Sequence, residues 1–78
     1  RVKLSFNEVR ELDALPATLE SLEKEQAELA AKLADPATYT SGTADPRKLT
    51  ERHDAIDAEL TRLLARWEEL EAKKTAAG

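Results

Sequence analysis

Leu12-Asp13-Ala14-Leu15-Pro16-Ala17-Thr18-Leu19-Glu20-Ser21-Leu22-Glu23-Lys24-Glu25-Gln26-Ala27-Glu28-Leu29-Ala30-Ala31-Lys32-Leu33 decides the fold. Leu12, Leu15, Leu19, Leu22, Gln26, Leu29 and Leu33 recur at alternating steps of three and four. That spacing keeps one stripe of a helix apolar, the a/d seam of a coiled coil. A second seam follows in Leu49, His53, Ile56, Leu60, Leu63, Trp67 and Leu70. When the chain is folded back on itself, Leu33 faces Leu49, Leu15 faces Trp67 and Leu12 faces Leu70. In all seven layers the two residue numbers add to 82, so the seams stay in register from end to end. The expected fold is all-α: an antiparallel two-helix coiled-coil hairpin with a short kinked N-terminal helical extension.

Outward from the seam, local signals set the boundaries. Residues 1–4 alternate charged and apolar side chains and form a lead-in. Ser5 followed by Glu8 is the spacing of a capping box, so the first helical arm spans 5–34. Phe6 and Val9 extend the seam backward. Pro16 removes a backbone donor and crowds the preceding turn, which predicts a break or kink near Ala14–Leu15 with Pro16 in the first turn of the restart. Asp35 before Pro36 ends the arm. Residues 35–45 are rich in turn formers and make the loop, with Tyr39 folding back over the last seam layer. Asp45-Pro46 reads as a helix cap followed by proline at the first helical position. The second helix spans 46–74, and 75–78 is a frayed tail.

The chain has 78 residues, enough for one domain, here 1–78. It contains no cysteine, which excludes a disulfide framework, a thiolate metal site and a cysteine nucleophile, and suits a reducing compartment. No apolar run approaches the ~20 residues of a membrane span, and nothing resembles a secretion signal. The first residue is Arg1 rather than methionine, so we expect a segment of a longer protein. There is no glycine-rich phosphate loop and no nucleophile–base pair. The carboxylates lie on solvated helix faces without a cleft, so no catalytic, cofactor-binding or metal-binding residue is assigned. The single histidine, His53, falls in the seam opposite Leu29 and beside the Gln26 layer. A polar seam residue fixes register and discourages slipped alternatives.

The formal net charge is −4, so nucleic-acid binding requires local basic patches. Lys32, Arg47, Lys48 and Arg52 gather near the loop. Arg1, Lys3, Arg10, Arg66, Lys73 and Lys74 gather around the two termini. Read functionally, these are two phosphate-contacting clusters separated by an acidic waist; read structurally, they are solvated charge. The seam register also brings Lys32 toward Arg52, Glu25 toward Glu59 and Glu23 toward Asp57, like-charge contacts that are mildly unfavourable.

Three stretches carry a family resemblance. Leu4-Ser5-Phe6-Asn7-Glu8-Val9-Arg10-Glu11-Leu12-Asp13-Ala14-Leu15-Pro16 is similar to the opening of the C-terminal domain of Uup-type ABC-F ATPases. Leu33-Ala34-Asp35-Pro36-Ala37-Thr38-Tyr39 resembles the turn of that domain, and Arg66-Trp67-Glu68-Glu69-Leu70-Glu71 its closing segment. Phe6 stands where tyrosine is usual, Val9 where a polar residue is common, and residues 40–44 lengthen the turn. The resemblance implies a coiled-coil hairpin attached to two tandem ATP-binding cassettes in a soluble, cytoplasmic protein. ATP and magnesium would be bound by the parent protein and not by this segment. It further implies DNA as the expected partner, and the ribosome or the cassettes of the same chain as the alternative, with no membrane partner; the seven-layer internal register, for its part, favours a monomeric hairpin. Self-association through the seam is the third arrangement the sequence admits.

Overall fold

The computed structural model describes residues 4–40, 42 and 44–77, the last of these by its backbone only. Three helices follow in order: α1 (Phe6–Ala34), α2 (Ala37–Thr40) and α3 (Pro46–Ala77). The two long helices pack against each other as an antiparallel hairpin 58 Å long and 16 Å across.

α1 begins where the capping signal lies. The Ser5 hydroxyl accepts a hydrogen bond from the Glu8 backbone N–H at 3.1 Å, and Glu8 Oε1 accepts one from the Ser5 N–H at 2.9 Å. Two helix-end donors that would otherwise lack partners are thereby satisfied. The helix ends at Asp35, whose extended backbone (ψ 121°) precedes Pro36. α3 opens the same way. Asp45 accepts from the Arg47 N–H at 3.0 Å through its carboxylate and from the Leu49 N–H at 3.1 Å through its carbonyl.

The seam supplies the core. Leu12, Leu15, Leu19 and Leu29 of α1 and Ile56, Leu60, Leu63 and Leu70 of α3 are buried, with Leu4, Leu22, Leu49 and Trp67 packed against them. Ile56 and Leu70 have no exposed surface at all. The polar layer sits where the spacing places it: Gln26 Nε2 approaches the His53 carbonyl at 3.5 Å, a long contact across the seam. His53 itself is half-buried, with Nδ1 3.5 Å from Asp54.

Five expectations are corrected. Of the break or kink expected at Pro16, the break does not occur: α1 runs through it as one helix, and the extension is continuous with the arm. Tertiary packing of Leu12, Leu15 and Leu19 outweighs the loss of one backbone hydrogen bond. Phe6 and Val9 do not extend the seam, being 75% and 41% exposed. Stepping back four residues from Leu12 reaches Glu8, which takes the seam position instead. The loop holds a further turn of helix, α2. The Asp35 carboxylate accepts from the Ala37 N–H, and the hydroxyls of Thr38 and Tyr39 donate to the carbonyls of Lys32 and Leu33. Tyr39 therefore reaches the last seam residue of α1 by its hydroxyl at 2.6 Å, while the residue stays 58% exposed. α3 continues to Ala77, past the expected fraying point. Finally, Glu25 meets Arg52 rather than Glu59. Of the expected lead-in, Val2 lies with residues 1 and 3 outside the described residues.

Candidate nucleic-acid interface

The hairpin sorts its basic side chains into engaged and unengaged groups. Those that sit beside the seam at sevenfold spacing on α3 reach across to α1. Arg52 grips Glu25 with two parallel bonds, Nε to Oε2 at 2.6 Å and Nη2 to Oε1 at 2.9 Å. Arg66 holds Glu11 in the same fork, at 2.7 and 3.0 Å, and also donates to Glu69 at 2.5 Å. Lys73 donates to Glu8 at 2.5 Å, and the Arg66 guanidinium lies 3.7 Å from the same carboxylate. The planar guanidinium matches the two carboxylate oxygens, which explains why arginine serves at two of these crossings. On α3 alone, Arg62 pairs with Glu59, one turn back.

The titration behaviour follows the geometry. The hydrogen bond from Lys73, then the Ser5 backbone N–H, holds the Glu8 carboxyl at about 2 rather than its ordinary 4.5. Hydrogen bonds from Arg66 and Arg52 lower the carboxyls of Glu11 and Glu25, and the same contacts raise the two guanidinium groups. A charged partner that stabilises the ionised form of each group is the common cause. Glu8 has a double role: it closes the capping box of α1 and ties the start of that helix to the end of α3.

The sequence-derived candidates therefore divide as follows. Arg52, Arg66 and Lys73 are engaged in cross-helix ion pairs. Arg10 lies 5.8 Å from the centre of the Phe6 ring, a cation–π contact. Lys32, Arg47 and Lys48 are exposed at the loop end of the hairpin, and no salt bridge involves them among the described residues. Lys74 is exposed in the last turns of α3. Arg1 and Lys3 lie outside the described residues.

Spacing alone did not show which partner each arginine takes. Arg52 and Glu59 lie seven residues apart on α3, about two turns, and Glu25 takes the one of opposite charge. Trp67, a seam position by spacing, packs against the core. It is only half-buried, and its indole N–H donates to Glu71 at 3.2 Å beside a shallow groove. Among the described residues no group of His, Asp and Glu is placed to hold a metal ion, and no helix is long and apolar enough to cross a membrane.

Comparison with known proteins gives the family. The family model for the ABC transporter C-terminal domain matches residues 3–72. An "ATP-binding protein Uup-like" of Haemophilus influenzae is 46% identical over 77 residues, covering 97% of this chain and 17% of the relative. "ATP-binding protein Uup" of the same organism is 46% identical over 74 residues, covering 94% and 11%. "ATP-binding protein Uup" of Escherichia coli K12 is 36% identical over 72 residues, covering 92% and 11%. The chain thus spans only about a tenth to a sixth of the length of these relatives. No solved structure matches it. The capped start, the Asp-Pro turn and the seam that closes at Leu70 all fall within the matched segment, and the chain belongs to the ABC transporter C-terminal domain family, in its Uup-like, ABC-F form.

Proposed function

We propose that this segment is a non-catalytic accessory arm of a cytoplasmic ABC-F ATPase, and that the arm binds nucleic acid, DNA first, through the loop end of a monomeric coiled-coil hairpin. In this reading ATP and magnesium belong to the cassettes of the parent protein, and the arm supplies contacts rather than chemistry. One observation carries it. The ion pairing along the seam leaves Lys32, Arg47 and Lys48 exposed at the loop end of the hairpin, while Arg52, Arg66 and Lys73 are held by carboxylates of α1.

The mechanism is electrostatic contact with backbone phosphates and little reading of base edges. Three such contacts predict a salt slope of about −2.7, so affinity falls roughly 40-fold between about 50 and 200 mM salt. The test is binding to fluorescently labelled duplex and single-stranded DNA over a salt series. Lys32→Glu/Arg47→Glu/Lys48→Glu runs beside it; Arg52 is left in place because reversing it would also free Glu25. Salt-sensitive binding that the triple variant abolishes supports the reading. Binding that the triple variant retains moves the contact to the terminal basic residues. Absence of binding at low salt removes DNA as the ligand of this arm.

A further inference from the structure

The two long edges of the hairpin differ in kind. One is zipped by the cross-helix ion pairs Glu8–Lys73, Glu11–Arg66 and Glu25–Arg52. Along the other, no cross-helix ion pair forms among the described residues. The side chains there fall into rows at sevenfold spacing. Asp13, Glu20 and Glu23 lie on α1 and Asp57, Glu68 and Glu71 on α3, all exposed. Between residues 9–34 and 50–75 these rows contain no lysine or arginine.

Apolar surface is set among these acids. Leu64 is 46% exposed and Val9 41%, each in a row with the carboxylates. Leu64, Trp67, Glu68 and Glu71 line a groove of about 260 Å³. That is below the ~300–1,000 Å³ of small-molecule sites and suits one or two side chains of a partner. The indole of Trp67 is half-buried here, with its N–H satisfied by Glu71, so its apolar face is the groove wall.

Charge selects the occupant. A second copy of this chain would set carboxylates against carboxylates, and a nucleic acid would set phosphates against them; both are repelled. We infer that this edge docks a cationic amphipathic helix, one that places a large apolar side chain in the Leu64–Trp67 groove and lysine or arginine on either side of it. Such a partner buries the exposed leucine and neutralises the acidic rows in one step, the helix-in-groove mode of recognition. The inference stands apart from the nucleic-acid reading, which uses the loop end and the opposite charge.

Trp67 is the only tryptophan, so its emission reports the groove without a label. The probe is a synthetic helix of leucine and lysine about four turns long, with a scrambled peptide of the same composition as control. The amphipathic peptide shifts the Trp67 emission to the blue in a saturable way. Leu64→Ser and Glu68→Lys each weaken it at least about tenfold. Glu28→Lys, the same charge change away from the groove, leaves it within about threefold. Circular dichroism confirms that each variant is folded. Equal binding of the scrambled peptide, an unaffected Leu64→Ser, or equal weakening by Glu28→Lys and Glu68→Lys would overturn the inference, since each would reduce it to diffuse charge attraction. A dimer in sedimentation that Leu64→Ser dissolves would also overturn it, by giving this edge to a second copy.

Discussion

Ile56→Ala is the sharpest perturbation of the seam. Ile56 is wholly buried, lies in the layer expected opposite Gln26, and is flanked by Leu60 and Leu63 on its own helix. Truncating a buried isoleucine to alanine removes three carbons from the core and leaves a cavity, at a typical cost of about 2–5 kcal/mol. A two-helix seam is only two side chains deep, so the void opens toward solvent and collapses more easily than one in a globular core. The expected loss is therefore about 2–3 kcal/mol, at the lower end of that range. For a domain of this size that lowers the melting temperature by roughly 10–20 °C. Leu64→Ala is the matched control, because Leu64 is close in sequence but 46% exposed. Truncation there changes stability by about 0.5 kcal/mol or less. The assay is urea unfolding followed by helical circular dichroism, with both variants analysed at a common slope. If Leu64→Ala costs as much as Ile56→Ala, the seam assignment is wrong and α3 faces α1 with another side.

Other expectations follow from the same geometry. Glu8 titrates at about 2 in the folded chain against 4.5 when unperturbed, so the folded state holds fewer protons in that interval. Its contribution is complete above about 4.5 and is lost as pH falls toward about 2. Glu8→Gln should flatten the dependence of the urea midpoint over that window, and an unchanged profile would detach Glu8 from the Lys73 and Ser5 contacts. Pro16 sits inside α1 without an N–H to offer the Leu12 carbonyl. Pro16→Ala should stabilise the hairpin by about 1–3 kcal/mol, read from the same urea curves; destabilisation would mean that the chain needs the proline geometry. Gln26 makes a single long contact to His53. Gln26→Leu should therefore raise the melting temperature, and sedimentation should then detect oligomers if the polar layer enforces the monomer.

The fold is legible in the sequence because two features act locally and repeat. The three–four spacing puts leucine on one stripe wherever the helix goes, and Ser5–Glu8, Asp35-Pro36 and Asp45-Pro46 mark its ends by their own backbone chemistry. What escaped the reading depends on context. Pro16 argues for a break when seen alone, yet the buried Leu12, Leu15 and Leu19 around it keep the helix intact. Glu8 does not read as a seam residue because it is charged, and the Lys73 ammonium and Arg66 guanidinium of α3, with the Ser5 N–H, make that position acceptable. The α2 turn rests on hydroxyl bonds from Thr38 and Tyr39 to carbonyls six residues back, a pattern with no sequence period. At the candidate interface, the positions of the basic residues were legible but their engagement was not. Whether Arg52 is spoken for depends on whether it faces Lys32 or Glu25, two turns apart on α1, and spacing does not decide between them. The acidic edge and its groove were hidden for a similar reason, since Trp67 counts as seam by spacing while its ring is half exposed.

The most direct test of the arm's function is residue-by-residue mapping of DNA binding by backbone amide NMR. The hairpin is titrated with a short duplex at low salt. Shift changes should concentrate at Lys32, through α2 and across Arg47 and Lys48, and should leave Arg66 and Lys73 with their carboxylate partners. Changes centred on Arg66 and Lys73, or a spectrum that DNA does not alter, would contradict the account.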